Sequence, residues 1–164
     1  MNAAPRHGER RINKLAVAIL DTSVLYGNGS RRAIVGACND GLFEGVWSPH
    51  IIGELYRVLT LRWIEKTGLS KESLATLSRK SKDMMDVLTA SFQLVNTAPI
   101  PNENPFDISD VDDYHLIRAA RIARATHIVS NNTNDFPLVD ETGRYRFEGI
   151  ELITASDFLK DLRS

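Results

Sequence analysis

Six consecutive apolar residues, Leu15-Ala16-Val17-Ala18-Ile19-Leu20, run between Lys14 and Asp21 and end on the polar triplet Asp21-Thr22-Ser23. A run this short and uniform, followed by the loop-forming Gly27-Asn28-Gly29-Ser30 stretch, predicts a strand buried on both faces, as in a parallel sheet. It falls far short of the ~20 residues that span a bilayer and is short for the core of a secretory signal. The single cysteine, Cys38, excludes an intramolecular disulfide and a Cys-based zinc cage and fits a reducing compartment. A cytoplasmic chain with no membrane segment is expected.

Residues 1–13 carry Arg6, Arg10 and Arg11 without apolar periodicity and predict a flexible basic arm. Residues 14–164 then form one domain, a length that buries a single core without disulfide or metal staples. Ser30 is the expected N-cap of a helix stopping near Gly41. Residues 43–47 read as a second strand. Ser48-Pro49 opens a helix with an apolar stripe of Ile51, Ile52, Leu55, Val58, Leu59 and Ile64 that ends near Gly68. Ser70 opens another, with Leu74, Leu77, Met84, Leu88 and Phe92 on one face, so the two make a helical hairpin. A weak strand at 93–95 precedes a loop over 99–105. A helix from about Asp110 then carries the small-residue face Ala119, Ala120 and Ala123. Strands at 127–130 and 150–153 follow, with Ser156 capping a terminal helix. Strands alternating with helices predict an α/β fold with a mainly parallel sheet.

Ligands of open parallel sheets sit outside the carboxyl ends of the strands, and here the residues after the strands are acidic. Asp21 follows the first strand, Asp135 lies in the loop after the 127–130 strand, Glu54 sits early in a partly buried helix, and Asp110, Asp112 and Asp113 open a later helix. Taken singly, each is a turn former, an N-cap or a solvated side chain. Taken together, they can face one end of the sheet. Carboxylates crowded there repel unless a cation lies among them. An oxygen-only set selects Mg²⁺ or Mn²⁺ over zinc, and such ions suit phosphodiester hydrolysis. No Gly-rich phosphate loop or Walker-type lysine follows the first strand, which speaks against a nucleotide-binding domain.

Four motifs carry a family resemblance: Leu20-Asp21-Thr22-Ser23-Val24-Leu25; Trp47-Ser48 followed by Glu54 and Arg57; Asp110-x-x-Asp113-x-His115; and Ile128-Val-Ser-Asn-Asn-Thr-Asn-Asp-Phe-Pro137. Over about residues 15–162 the chain resembles the PIN domain, most of all the VapC-like toxins of bacterial and archaeal toxin–antitoxin systems. The resemblance implies a three-layer α/β/α fold around four to five mainly parallel strands. It also implies an Mg²⁺- or Mn²⁺-dependent endoribonuclease leaving a 5′-phosphate and a 3′-hydroxyl. By position, Asp21, Glu54 and Asp113 match the first three metal ligands, with Asp110 and Asp112 able to share the third role. Ser130 matches the hydroxyl residue that ends the fourth strand, and Ser23 and Ser130 orient carboxylates or water. Many members have an aspartate where this chain has Asn132, so Asp135 is taken as the fourth acid and Asn132 as a neutral ligand. The implied partners are RNA, a cognate antitoxin and a second copy of the chain.

Several residues read two ways. His115 either touches a substrate phosphate or orients Asp113, or it makes a local hydrogen bond. Arg31, Arg32 and Arg57 either hold RNA phosphates or are solvated helix charge. Trp47 and Trp63 either stack on bases or pack in the core. Asn132 in place of an acid also motivates a rival reading, a catalytically degenerate PIN-like binding module. Taken alone, the net charge of −1 opposes a polyanionic substrate. Yet residues 1–14 carry +3 and residues 101–113 carry −5, so a cation in the acidic cluster would leave the loaded protein neutral to positive.

Overall fold

A computed structural model describes residues 14–97, 114–136 and 138–164, and of Asp135 the backbone alone. The expected basic arm, the 99–105 loop and the stretch with Asp110, Asp112 and Asp113 lie outside the described residues. Strands β1 (Ala16–Leu20), β2 (Phe43–Trp47), β3 (Gln93–Leu94), β4 (His127–Val129), β5 (Tyr145–Phe147) and β6 (Ile150–Ile153) form one sheet in the order β3-β2-β1-β4-β6-β5. Every pairing is parallel except β5 with β6. Central β1 is buried through Ala18, Ile19 and Leu20, as its uninterrupted apolar run requires.

The sheet has six strands rather than four to five, and β5 is the unforeseen one. Its Tyr145-Arg146-Phe147 alternates over only three residues. It pairs at the sheet edge through a Glu148-Gly149 turn in which both residues have positive φ, 49° and 82°, the backbone that a two-residue hairpin demands.

The helices are α1 (Thr22–Leu25), α2 (Asn28–Asn39), α3 (Pro49–Thr67), α4 (Lys71–Ser91), α5 (Tyr114–Ala123) and α6 (Ala155–Asp161). Phe43, Gly45 and Trp47 share one face of β2 by strand alternation. On that face Phe43 meets Phe158 of α6 edge-on at 5.0 Å, and Trp47 meets Phe92 at the end of α4 at 5.9 Å. Strand order reverses at β1, so right-handed crossovers place α2 on this side and α5 on the other. There α5 packs its Ala119 and Ala120 against β1 and β4. The result is the three-layer α/β/α arrangement.

Two caps differ from expectation. Gly27, not Ser30, precedes α2, because the Ser30 hydroxyl donates to Val24 O at 2.7 Å and ties α2 to α1 instead. Thr154, not Ser156, caps α6, its Oγ1 accepting from the Asp157 N–H at 3.3 Å. The α3 start is as read, with Ser48 accepting from the Ile51 N–H and Pro49 in the first turn. The α3–α4 hairpin turns at Gly68, φ 75°, and is pinned by Trp63 Nε1 donating to Ser73 O and Oγ at 2.9 and 2.8 Å. No helix among the described residues is long and apolar enough to cross a membrane.

Candidate active site

Sheet register gathers the site. Leu20, Val129 and Ile153 are in line across β1, β4 and β6, so Asp21 and Ser130, the next residues, emerge side by side at the carboxyl ends. The Asp21 N–H donates to Val129 O at 3.0 Å and the Ser130 N–H to Ile153 O at 3.0 Å, extending the ladder by one step. The parallel register of β1 on β2 pairs Ile19 with Val46 and, carried two residues further, sets Asp21 beside Ser48 at the head of α3. Asp21 therefore faces the first turns of the helix that bears Glu54.

The carboxylate of Asp21, 9% exposed, is held by two hydroxyls. Ser23 Oγ donates to Oδ2 at 2.6 Å and Ser130 Oγ donates to the same atom at 2.8 Å. Each hydroxyl is aimed by a backbone donor, the Asn131 N–H onto Ser23 Oγ at 2.9 Å and the Asn132 N–H onto Ser130 Oγ at 3.1 Å. With both serine protons spent on Oδ2, the 3.2 Å approach of the two Oγ atoms is a close packing of acceptors rather than a further bond. Among the described residues, the hydrogen bonds to this carboxylate go to Oδ2 and none goes to Oδ1.

A second group stands beside it. Buried Thr22 donates from Oγ1 to Glu54 Oε2 at 3.0 Å, fixing that carboxylate relative to Asp21's own turn of chain. His50, one turn before Glu54 on α3, stacks on His115 of α5 with ring centroids 3.8 Å apart and 19° between planes. One ligand atom each from His50, Glu54 and His115 lie within 4.8 Å of one another. Burial first, and then His50, hold the His115 imidazole down to about 4, against an upward pull from Asp21. The ring is neutral at pH 7 and keeps a lone pair. Its Nδ1 is buried without a hydrogen-bond partner, a state that costs about 1–3 kcal/mol unless something binds there. Carboxylates pre-aimed by hydroxyls beside a pair of imidazoles fit a divalent cation.

The structure thus brings together Asp21, Ser23, Glu54, His115 and Ser130. Asn132 lies exposed just past Ser130. Asp110, Asp112 and Asp113 lie outside the described residues, and Asp135 is described only as backbone, in a 3₁₀ turn over Thr133–Asp135. Arg31 is turned inward. Its guanidinium donates to Leu25 O at 2.9 Å, to Tyr26 O at 3.2 Å and to Asn28 Oδ1, closing the carboxyl end of α1; burial, then Arg32, lower its pKa. Arg32 and Arg57 are exposed. Trp47 is buried in the core and Trp63 is bonded within the hairpin. The sequence reading passed over Thr22 and His50. For His50 a signal existed, the His50-x-x-x-Glu54 spacing that puts both on one helical face.

Comparisons with known proteins agree on the architecture. A family model described as PIN domain matches residues 17–134. Among solved structures, that of PAE2754 from Pyrobaculum aerophilum superposes with a TM-score of 0.55, covering 97% of this chain and 99% of that one at 14% identity, a likeness of fold. No curated protein matches the sequence.

Proposed function

The chain belongs to the PIN-domain family, a family of nucleases that are generally metal-dependent, and from that premise we propose that it is an Mg²⁺- or Mn²⁺-dependent endoribonuclease. The observation that carries the proposal is the convergence of two bonds on Asp21 Oδ2 from Ser23 and Ser130, which spends two hydroxyls and two backbone amides on aiming one carboxylate. Asp21 and Glu54 would hold the cation together with Asp113, or Asp110 or Asp112, and with Asp135 and Asn132. When bound, the cation supplies Lewis acidity toward a phosphodiester and eases deprotonation of water. Ser23 and Ser130 keep Asp21 in one rotamer, and Thr22 does the same for Glu54, so the donor set is organised before substrate arrives. Arg57 and Arg32, exposed on α3 and α2, would be the residues to meet RNA phosphates, whereas the Arg31 guanidinium is bonded to Leu25 O, Tyr26 O and Asn28 Oδ1.

Within the family the proposal is a VapC-like toxin acting in the cytoplasm, held in check by a cognate antitoxin protein. Homodimerisation would run through the α3–α4 hairpin, where Leu61, Leu69 and Leu74 are exposed. The test is cleavage of a generic single-stranded RNA by the purified chain in Mg²⁺, abolished by EDTA, restored by Mn²⁺, and leaving 5′-phosphate ends. Cleavage indifferent to EDTA would refute it. A second reading, a binding module without turnover, is favoured by one feature, the neutral Asn132 beside the β4 terminus. Absence of Mn²⁺ binding at millimolar concentration in a calorimetric titration would support that reading instead.

A further inference from the structure

The His50–His115 pair gives this site something that an all-carboxylate centre lacks. We infer that His50, His115 and Glu54 form a mixed nitrogen and oxygen site that takes a borderline divalent transition ion, Co²⁺, Ni²⁺ or Zn²⁺, in preference to Mg²⁺. Three observations converge. The donor atoms of the three side chains, drawn from α3 and α5, already lie within 4.8 Å of one another. His115 Nδ1 is buried and unsatisfied, so the ring is not tied down by a hydrogen bond at that nitrogen. His50 is exposed and sits one helical turn before Glu54, free to rotate toward an ion without disturbing the core.

The chemistry fixes the class of ion. Mg²⁺ prefers oxygen and keeps its waters, whereas imidazole suits Co²⁺, Ni²⁺, Cu²⁺ and Zn²⁺, with affinity rising along the first row to copper. Two nitrogens bonded to one such ion at ~2.0–2.1 Å are at most about 4.2 Å apart, and each ring must lie in plane with the ion, so binding requires the exposed His50 ring to turn out of its stack on His115. Glu54 Oε2 is held by Thr22, which leaves Oε1 as the oxygen ligand. The site shares Glu54 with the proposed nuclease centre, yet it does not depend on turnover, and a transition ion in it would draw Glu54 away from an Mg²⁺ ion beside Asp21.

The experiment is a Co²⁺ titration of the untagged, metal-free full chain in a large excess of Mg²⁺, followed by visible absorption and by X-ray absorption at the cobalt edge. Wild type is expected to bind Co²⁺ with imidazole scattering. His50→Ala and His115→Gln should each weaken binding by at least about 10-fold, and His7→Ala and His127→Ala, which remove the other two histidines, should leave it unchanged. Because His50 is exposed, His50→Ala should melt as wild type does, which keeps the test independent of folding. Asp21→Asn should bind Co²⁺ as wild type does while losing RNA cleavage, which separates the two proposals: imidazole-bound Co²⁺ without any nuclease activity overturns only the function proposed above. Oxygen-only coordination in wild type, or wild-type affinity in His50→Ala, overturns the site.

Discussion

Ser130 Oγ donates a 2.8 Å hydrogen bond to Asp21 Oδ2 across 109 residues of chain. Two adjacent parallel strands in register put the two side chains together, so the bond ties the chemistry to the sheet. Ser130→Ala removes the donor and also the acceptor of the Asn132 N–H. The expected loss is about 1–2 kcal/mol of stability and about 10-fold in cleavage rate. Ser130→Thr retains both bonds and should stay near wild type. Thermal melts and initial rates on one labelled RNA check both variants.

Thr22→Val keeps the shape of a buried side chain and deletes the bond to Glu54. Stability should fall by about 1 kcal/mol. The larger effect is on the carboxylate that it orients, with divalent-metal affinity expected to drop roughly 10- to 100-fold. A calorimetric Mn²⁺ titration reads this directly, and unchanged affinity would show that Glu54 needs no such support.

His115 makes stability pH-dependent. Its pKa is about 4 in the folded protein against an ordinary 6.5, so between those values the unfolded chain binds the extra proton. The contribution is complete above about pH 6.5 and is lost as pH falls toward 4, amounting to about 3 kcal/mol at most. Urea denaturation of metal-free protein at pH 7 and about pH 5, wild type against His115→Gln, isolates it from the carboxylates. The gap between the two proteins should shift in favour of His115→Gln at the lower pH.

Much of this was legible in the sequence for one reason: β1 is a short apolar run, β2 and β6 are short segments rich in large apolar residues, and α3 opens on Ser48-Pro49, signals that are local. Asp21 and Glu54 follow from those elements, since the end of a buried strand and the first turns of the next helix are where a parallel sheet places its ligands. What escaped depends on three-dimensional geometry that no pattern of residue types announces. The β5 edge strand is only three residues long, Tyr145-Arg146-Phe147, and is defined by its pairing with β6. The His50–His115 stack joins residues from two helices on different stretches of chain. Arg31 read either as a phosphate ligand or as solvated helix charge, and no residue pattern shows that its guanidinium closes α1.

Gly45 tests the packing behind the site without touching it. A Cβ there would lie 2.5 Å from Phe92 Cδ1, 2.9 Å from Cε1 and 3.3 Å from Cys38 Sγ. The Phe92 ring is buried against Trp47 and cannot swing aside freely. Gly45→Ala should destabilise by about 1–3 kcal/mol, read as a lowered urea midpoint with an unchanged denaturant slope.

The central claim is that Asp21, aimed by Ser23 and Ser130, holds the cation on which RNA cleavage depends. Single-turnover cleavage of an end-labelled RNA by Asp21→Asn and wild type, at saturating Mg²⁺ and matched folded fraction, tests it most directly. The account predicts a loss of at least about 100-fold in the variant; equal rates in the two proteins would contradict it.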